Sequence, residues 1–321
     1  LIITSASIVK TGQDTVLNPG TLVKLNPDFA SIDLIVFFFG LILTSVLLAR
    51  RIRGSILLGI LGAMALSIIL KLILILAPES FGQSRVISGS KLAIQFTIAS
   101  GIVSMPPSLS PTFFKMDLIG AISGAMVPFI IIFLFMDVFD TIGTLVGVSE
   151  RAGLIRENKL PRANQALLSD AVGTVTGACL GTSTVTSFIE SAAGVEEGGR
   201  TGLTGLTAAT LFILALFFSP VISMIGSYAA ITAPALVVVG AMMIQNVIKI
   251  EWSDYSESIP AFLTIIGMPL SFSIADGLAL GFISYPIIKL LSGKRKQVGW
   301  LMYILAVVLI IYFIVLRARI G

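Results

Sequence analysis

Long apolar stretches dominate this sequence and limit what it can fold into. A helix that crosses the hydrocarbon core of a bilayer needs about 20 mostly apolar residues. We predict such helices at about 32–49, 54–77, 118–148, 164–181, 201–219, 229–248, 259–275, 276–291 and 299–316. Only 12% of the residues are charged, about half the share in a soluble domain, which is too few to coat a surface in water. The sequence therefore predicts an all-α polytopic membrane protein rather than a water-soluble enzyme.

Residue types that many enzymes and metal sites require are scarce. The sequence has one cysteine, Cys179, and no histidine. A disulfide within the chain, a Cys/His metal site and His-based catalysis are therefore excluded. No basic cluster is interleaved with aromatic residues in the manner of a nucleic-acid surface. We expect no enzymatic activity, no metal, no cofactor and no nucleic-acid partner.

Ten of the 21 basic residues fall in three short predicted loops, and this pattern predicts the orientation of the chain. Because short cytoplasmic loops are enriched in Lys and Arg, all three clusters are predicted to be cytoplasmic. The clusters are Arg50, Arg51 and Arg53; Arg151, Arg156, Lys159 and Arg162; and Lys294, Arg295 and Lys296. The segment 299–316 then carries Arg317 and Arg319 to the opposite side, so it either spans against this rule or lies in the interface.

Two aspartates interrupt the most apolar part of the segment 118–148. Asp137 and Asp140 are three residues apart, so on a helix they share one face and lie about 4.5 Å apart along the axis. A charged carboxylate at membrane depth costs about 2.5–3.5 kcal/mol. The alternative is that one of them only caps or cross-links helices. We interpret the pair as functional, because two such unfavourable free energies on one helix face are hard to explain without a function.

The region 181–194 is unusually polar for its position between apolar segments. Thr182, Thr184 and Thr186 alternate with a period of two, which predicts a short extended strand rather than a helix. Glu190 and Ser191 then open a second half-helix. Secondary transporters build substrate sites at such broken helices near the midplane of the membrane. The alternative is a polar loop outside the membrane.

Several motifs resemble the AzgA-type purine permeases, which belong to the nucleobase–cation symporter superfamily together with the uracil and xanthine permeases. The longest are DVFDTIGTLVG at 137–147 and GTSTVTSFIESAAG at 181–194. The continuation GGRTGLT at 198–204 and the run SIADGLALGFIS at 273–284 also resemble this family. The resemblance extends over essentially the whole chain.

The resemblance implies a fold of two inverted repeats of seven segments, arranged as a core domain and a gate domain. Residues 1–117 then hold the end of the first repeat (with the end of its fifth segment at 1–8), gate segments and an extracytoplasmic loop. Residues 118–219 form the core half that carries the substrate site, and 220–321 form further gate segments and a C-terminal tail. We expect the chain to be N-terminally truncated, with its first repeat largely missing, because it begins Leu1-Ile2-Ile3 without an initiator Met.

The same resemblance assigns roles to residues. Asp140 takes the place of a substrate-contacting carboxylate on the eighth segment, and Asp137 that of a second aspartate one turn earlier. Glu190 matches the carboxylate of the tenth segment, with Ser191 beside it. Thr182 and Thr184 complete the hydrogen bonding of the base, and Phe139, Phe188 or a neighbouring aromatic residue stacks on it. One of the three carboxylates Asp137, Asp140 and Glu190 is expected to bind the coupling proton.

Together these residues predict a secondary transporter that imports adenine, guanine or hypoxanthine by proton symport across the inner (cytoplasmic) membrane. We expect a purine base and the lipid bilayer as partners, and a homodimer stays open. An alternative is a sulfate-type anion exchanger or a uracil or xanthine transporter of the same fold. Three acidic residues argue against an anion, and Lys71, the nearest intramembrane cation, lies outside the core half. An intramembrane aspartyl protease or a receptor is a third class, although such proteases carry their aspartates on two different helices.

Overall fold

The computed structural model describes residues 31–76, 90–124, 126–157 and 159–314, and the backbone of four short strands before residue 26. Strand β1 (Ile2–Ile3) pairs with β4 (Lys24–Leu25), and β2 (Ile8–Thr11) pairs with β3 (Asp14–Leu17), both antiparallel. Residues 1–8 were predicted to form the end of a membrane segment, but those of them that are described, Ile2, Ile3 and Ile8, lie in strands. The rest of that range lies outside the described residues, as do residues 77–89 of the predicted loop and the tail with Arg317 and Arg319.

The rest of the described chain is helical or irregular. The α-helices are α1 Ile32–Ala49, α2 Ser55–Leu76, α3 Lys91–Ile94, α4 Leu118–Ala121, α5 Val127–Arg151, α6 Ala163–Leu180, α7 Ser191–Glu196, α8 Gly202–Ala215, α9 Ser219–Ser227, α10 Ala229–Met243, α11 Tyr255–Ser271, α12 Ile274–Leu291 and α13 Trp300–Tyr312. Three 3₁₀ turns connect them, at Leu216–Phe218, Ile244–Lys249 and Arg295–Gln297.

Five helical stretches within the described residues are long and apolar enough to cross a membrane. They are Ile32–Ala49, Ser55–Leu76, Gly202–Ser227, Ala229–Lys249 and Ile274–Leu291. This confirms the prediction of a helical, polytopic membrane protein. The inverted-repeat scheme stays a prediction.

Two predicted helices differ from the observed ones by more than a few residues. The stretch 118–148 is interrupted at 122–126, between α4 and α5. Asp117 caps α4 by accepting a hydrogen bond from Gly120 N, and a proline in the first two positions of α5 favours a new helix start there. Helix α11 begins four residues earlier than expected, because the Asp254 carboxylate caps it by accepting from Ser256 N at 3.0 Å.

The chain divides into two compact units, one with Leu1–Pro107 and Glu197–Ala241 and the other with Ser108–Glu196 and Met242–Gly321. The first has a buried core that includes Leu92, Phe96 and Tyr228. Within it, the Asp33 carboxylate accepts hydrogen bonds from the Tyr228 hydroxyl at 2.7 Å and from Leu92 N at 3.0 Å. The Lys71 ammonium donates to Ala93 O at 2.8 Å. The intramembrane lysine noted in the sequence therefore anchors the short helix α3.

The second unit contains α4, α5, α6, α7, α11, α12 and α13. Helices α11 and α12 pack closely as a hairpin, where a Cβ on Gly277 would lie 2.6 Å from Met268 N. Such close approach of helix backbones is typical of small residues in membrane helices. Phe135 of α5, Ala279 of α12 and Leu309 of α13 form the buried core of this unit. This packing holds α5, which carries the paired aspartates.

Candidate functional site

The two predicted aspartates lie near the middle of α5. Asp137 is half-buried and Asp140 is exposed, one turn further along the helix. The apolar run before them and a proline in the first turn favour a helix here. At the other end of α5, Arg151 forms an ion pair with Glu196 of α7, and Glu150 forms one with Lys249. These contacts fix the helix end without involving the aspartates.

The polar segment after α6 begins at a glycine that the backbone requires. Gly181 has a φ of +84°, in the left-handed region that favours glycine. A Cβ at this position would lie 2.5 Å from Thr112 Cβ and 2.8 Å from Thr112 O. The Thr112 hydroxyl donates to Leu180 O at 2.9 Å, and Phe114 N donates to Cys179 O at 2.9 Å. Residues 112–114 therefore satisfy carbonyls at the end of α6.

Residues 182–188 form neither a helix nor a paired strand. The break in the helix was predicted correctly, but the strand is absent from this part of the described chain. Instead, the Thr174 hydroxyl of α6 donates to Val185 O at 2.8 Å and accepts from Val185 N at 3.3 Å. One side chain thus takes both backbone groups of Val185, which a strand would have paired in a ladder.

Two threonines of this segment, Thr184 and Thr186, direct their hydroxyls at the carboxylates of α5. The Thr184 hydroxyl donates to Asp137 Oδ1 at 2.5 Å, and the Thr186 hydroxyl donates to Asp140 Oδ2 at 3.3 Å. Hydrogen bonds to an ionised acceptor are about twice as strong as neutral ones. The structure therefore brings together Asp137, Asp140 and Thr184, three of the six predicted site residues.

A third aspartate joins this group and was missed in the sequence. Asp170 of α6 accepts a hydrogen bond from the Thr141 hydroxyl at 3.0 Å, and the Thr141 and Thr186 hydroxyls are also 3.0 Å apart. Thr141 is buried, with 1% of its surface exposed. Asp170 sits in the run LLSDAVG, where a lone acidic residue between apolar ones was the available signal. Asp170, Thr141, Thr186 and Asp140 thus form a continuous chain of polar contacts.

The other three predicted residues lie at the two ends of the segment between α6 and α7. Ser191 begins α7, and its backbone N–H donates to Phe188 O at 3.1 Å. The exposed Glu190 side chain has no hydrogen bond or ion pair with the described residues. The Thr182 methyl group packs against Gly177, where a Cβ would lie 3.0 Å away. The structure places these three near the segment but shows no contact between them and the α5 carboxylates.

The two candidate stacking residues have different surroundings. The Phe139 ring lies 4.3 Å from that of Phe282 and 4.6 Å from that of Phe135, measured between centroids. It is part of the packing between α5 and α12. Phe188 is 61% exposed. Of the two, Phe188 is therefore the ring that is available to a ligand.

The charge of the site is acidic. Across the described ranges, none of Asp137, Asp140, Asp170 and Glu190 forms an ion pair with a lysine or arginine. The described part of the chain contains no group of three or more acidic or cysteine side chains arranged to hold a metal ion. An arrangement of carboxylate acceptors and hydroxyls without cations suits a neutral ligand rich in N–H donors, or a proton, and opposes an anion.

Comparison with known proteins places the chain among membrane permeases. The model of the Permease family, named for xanthine and uracil permeases, matches residues 2–280. A relative from Methanocaldococcus jannaschii, named "Putative permease MJ0326", is 43% identical over 313 residues, 97% of this chain and 64% of the relative. The guanine/hypoxanthine permease PbuG of Bacillus subtilis is 42% identical over 302 residues, 94% of this chain and 63% of the relative.

A third relative is the adenine permease AdeP of Escherichia coli, which is 42% identical over 221 residues, 68% of this chain and 49% of the relative. The chain therefore spans less than two thirds of the length of each of these curated relatives. The family match covers most of the chain and includes the paired aspartates, the broken helix and the start of α12. This chain belongs to the Permease family.

Proposed function

We propose that the chain forms the substrate-binding part of a secondary transporter that imports the purine bases adenine, guanine and hypoxanthine. Relatives named as guanine/hypoxanthine and adenine permeases support this choice of substrate. The observation that carries the proposal is the contact between the polar segment and α5, in which Thr184 and Thr186 donate to Asp137 and Asp140. It supports a polar binding site where the segment after α6 meets α5.

The chemistry of a purine matches this pocket. Ring N–H and exocyclic amino groups are donors, and ionised carboxylates accept such bonds strongly. Asp140 and Glu190 are the proposed principal acceptors, and Asp137, Thr182, Thr184 and Ser191 complete the hydrogen bonding. Phe188 supplies the stacking surface, because its ring is exposed.

Proton symport is the proposed coupling mode, and the count of hydroxyl protons supports it. Three contacts link Asp170, Thr141, Thr186 and Asp140. Each threonine hydroxyl has one proton to donate. If Thr141 donates to Asp170 and Thr186 donates to Asp140, no proton is left for a hydrogen bond between the two hydroxyls. One added proton on either aspartate fills all three contacts, so the chain is suited to taking up and releasing a single proton.

The remaining parts of the proposal follow the family resemblance. Residues 118–219 belong to the core, 1–117 and 220–321 contribute gate segments, and movement of core against gate carries the base across the cytoplasmic membrane. The proton is the only coupling species, with no other cofactor. A homodimer is one possible assembly.

The competing proposals are an anion and a different nucleobase as the transported substrate. A sulfate-type anion is disfavoured, because the carboxylates have no cation beside them in the described part of the chain. Uracil or xanthine fits the same kind of pocket, and the family model is named for their permeases. Competition between substrates distinguishes these proposals.

The test is uptake of labelled hypoxanthine by bacteria that lack purine permeases and express the complete gene product. Unlabelled adenine and guanine should compete, whereas uracil, xanthine and sulfate should not. Asp140→Asn and Glu190→Gln should abolish uptake at unchanged membrane abundance. Glu251→Gln is the matched control, because Glu251 is an exposed carboxylate that bonds to Ser253, away from the site. Retained uptake in both site variants would overturn the assignment of the site, and competition by uracil or sulfate alone would overturn the substrate.

A further inference from the structure

A groove lies between α11, α12 and α13 of the second unit. Its volume is about 280 Å³. Its walls are largely apolar and include Pro260, Ala261, Leu278, Phe282 and Met302. Since these helices are apolar and the chain is a membrane protein, the groove faces a medium in which hydrocarbon is the abundant apolar species.

The polar end of the groove is neutral. Glu257, in the first turn of α11, lines the groove there and pairs with the Lys289 ammonium at 2.6 Å. Lys289 is 1% exposed. The Tyr285 hydroxyl donates to Glu257 at 3.4 Å. Because a buried cation matches the carboxylate, this end does not repel an anion in the way that a free carboxylate would.

The turn Arg295–Gln297 is fastened at this same end. The Lys289 ammonium that binds Glu257 also donates to Gln297 Oε1 at 2.9 Å. The neighbouring Lys294 pairs with Asp254 at 2.6 Å. Both acids near the turn are therefore already matched by a lysine, and each pair is charge-neutral.

Two cations and an aromatic ring are left facing outward beside the groove. Arg295 and Lys296 are exposed, and no carboxylate of the described residues is within ion-pair distance of either. Trp300, the first residue of α13, is 74% exposed. Tryptophan at a helix end is typical of the membrane–water interface. The turn therefore presents net positive charge at the level of lipid headgroups.

We propose that the turn and the groove together bind one anionic phospholipid. Its phosphate lies on Arg295 and Lys296, and one acyl chain lies in the groove between α11, α12 and α13. Arginine and lysine are the side chains that recognise phosphate, and basic residues beside transmembrane helices bind acidic lipid headgroups. The inference rests on membrane embedding alone and is independent of the transported substrate.

The test measures lipid binding to the purified full-length protein by native mass spectrometry in detergent. Phosphatidylglycerol should bind with a defined stoichiometry and phosphatidylcholine should not. Each cation beside a membrane contributes about fivefold in affinity for an acidic lipid, so Arg295→Gln combined with Lys296→Gln should weaken binding about 30-fold. The matched control is Arg156→Gln combined with Lys159→Gln, which removes two exposed cations from another predicted cytoplasmic loop.

A second variant tests the groove separately from the charges. Ala261→Phe fills the groove and leaves Arg295 and Lys296 in place, so it should weaken binding of the diacyl lipid while purine uptake persists. Equal binding by the two double variants would overturn the proposal. It would also be overturned if soluble glycerol phosphate bound as tightly as the lipid, because the site would then be one for a free anion.

Discussion

Thr141→Val tests the chain of hydroxyls and carboxylates directly, because valine has nearly the same shape as threonine and no hydroxyl. The Thr141 hydroxyl donates to Asp170 at 3.0 Å and contacts the Thr186 hydroxyl at 3.0 Å, in a position that is 1% exposed. The substitution removes a donor from a carboxylate that has no cation partner in the described residues. A hydrogen bond to a charged group contributes about 1.5–3 kcal/mol. We therefore expect kcat/KM for purine uptake to fall by about 10- to 140-fold.

The assay is the initial rate of hypoxanthine uptake over a range of concentrations, normalised to the amount of protein in the membrane. Thr144→Val is the matched control, because Thr144 lies three residues further along α5 and is 6% exposed. Its hydroxyl forms no hydrogen bond to another described side chain, so this variant should transport within about twofold of the unchanged protein. Thr141→Ser restores the hydroxyl and should restore uptake. Equal losses in the two valine variants, or no loss in Thr141→Val, would refute the reasoning.

Three further predictions concern the proton, the backbone and acid stability. Asp170→Asn supplies a permanent donor to Thr141, so the three contacts between positions 170, 141, 186 and 140 are filled without an added proton. Uptake by this variant should therefore lose its dependence on external pH. An unchanged pH profile would count against the coupling proposal. Gly181→Ala places a Cβ 2.5 Å from Thr112 Cβ at a φ of +84° and should cost more than about 1 kcal/mol in thermal unfolding, whereas Gly194→Ala, with nothing within 4 Å among the described atoms, should cost less. Lys294 and Ser256 hold the pKa of Asp254 below its usual range through hydrogen bonds to the carboxylate. Because a depressed pKa stabilises the folded state while the group is ionised, this contribution is present at neutral pH and is lost as the pH falls below about 4. Asp254→Asn should therefore show a smaller drop in Tm on acidification, and an equal drop would contradict this role.

The boundaries of isolated apolar helices were predictable from the sequence. Helices α1 and α2 end within a residue of the predicted limits, because Arg50 to Gly54 interrupt two continuous apolar runs. The break between α4 and α5 was not predicted. It lies inside an apolar stretch, where composition does not distinguish a turn from a continuing helix.

The parts of the site that the sequence did not reveal depend on tertiary contacts. The alternation of threonines predicted a strand, but Thr174 on a different helix takes the backbone groups of Val185. Asp170 gains its significance only from Thr141, 29 positions earlier. Likewise, the choice between Phe139 and Phe188 required the position of Phe282. Local periodicity indicates which face is polar, and packing between helices decides which polar groups meet.

The most direct test of the account is a flux measurement on the full-length protein in liposomes. Labelled hypoxanthine should accumulate inside when the outside is acidic relative to the lumen, and a protonophore should abolish that accumulation. Asp140→Asn should remove the flux, and Glu251→Gln should preserve it. Accumulation that is indifferent to the proton gradient would contradict proton symport, and equal flux through the Asp140→Asn protein would contradict a substrate site on α5.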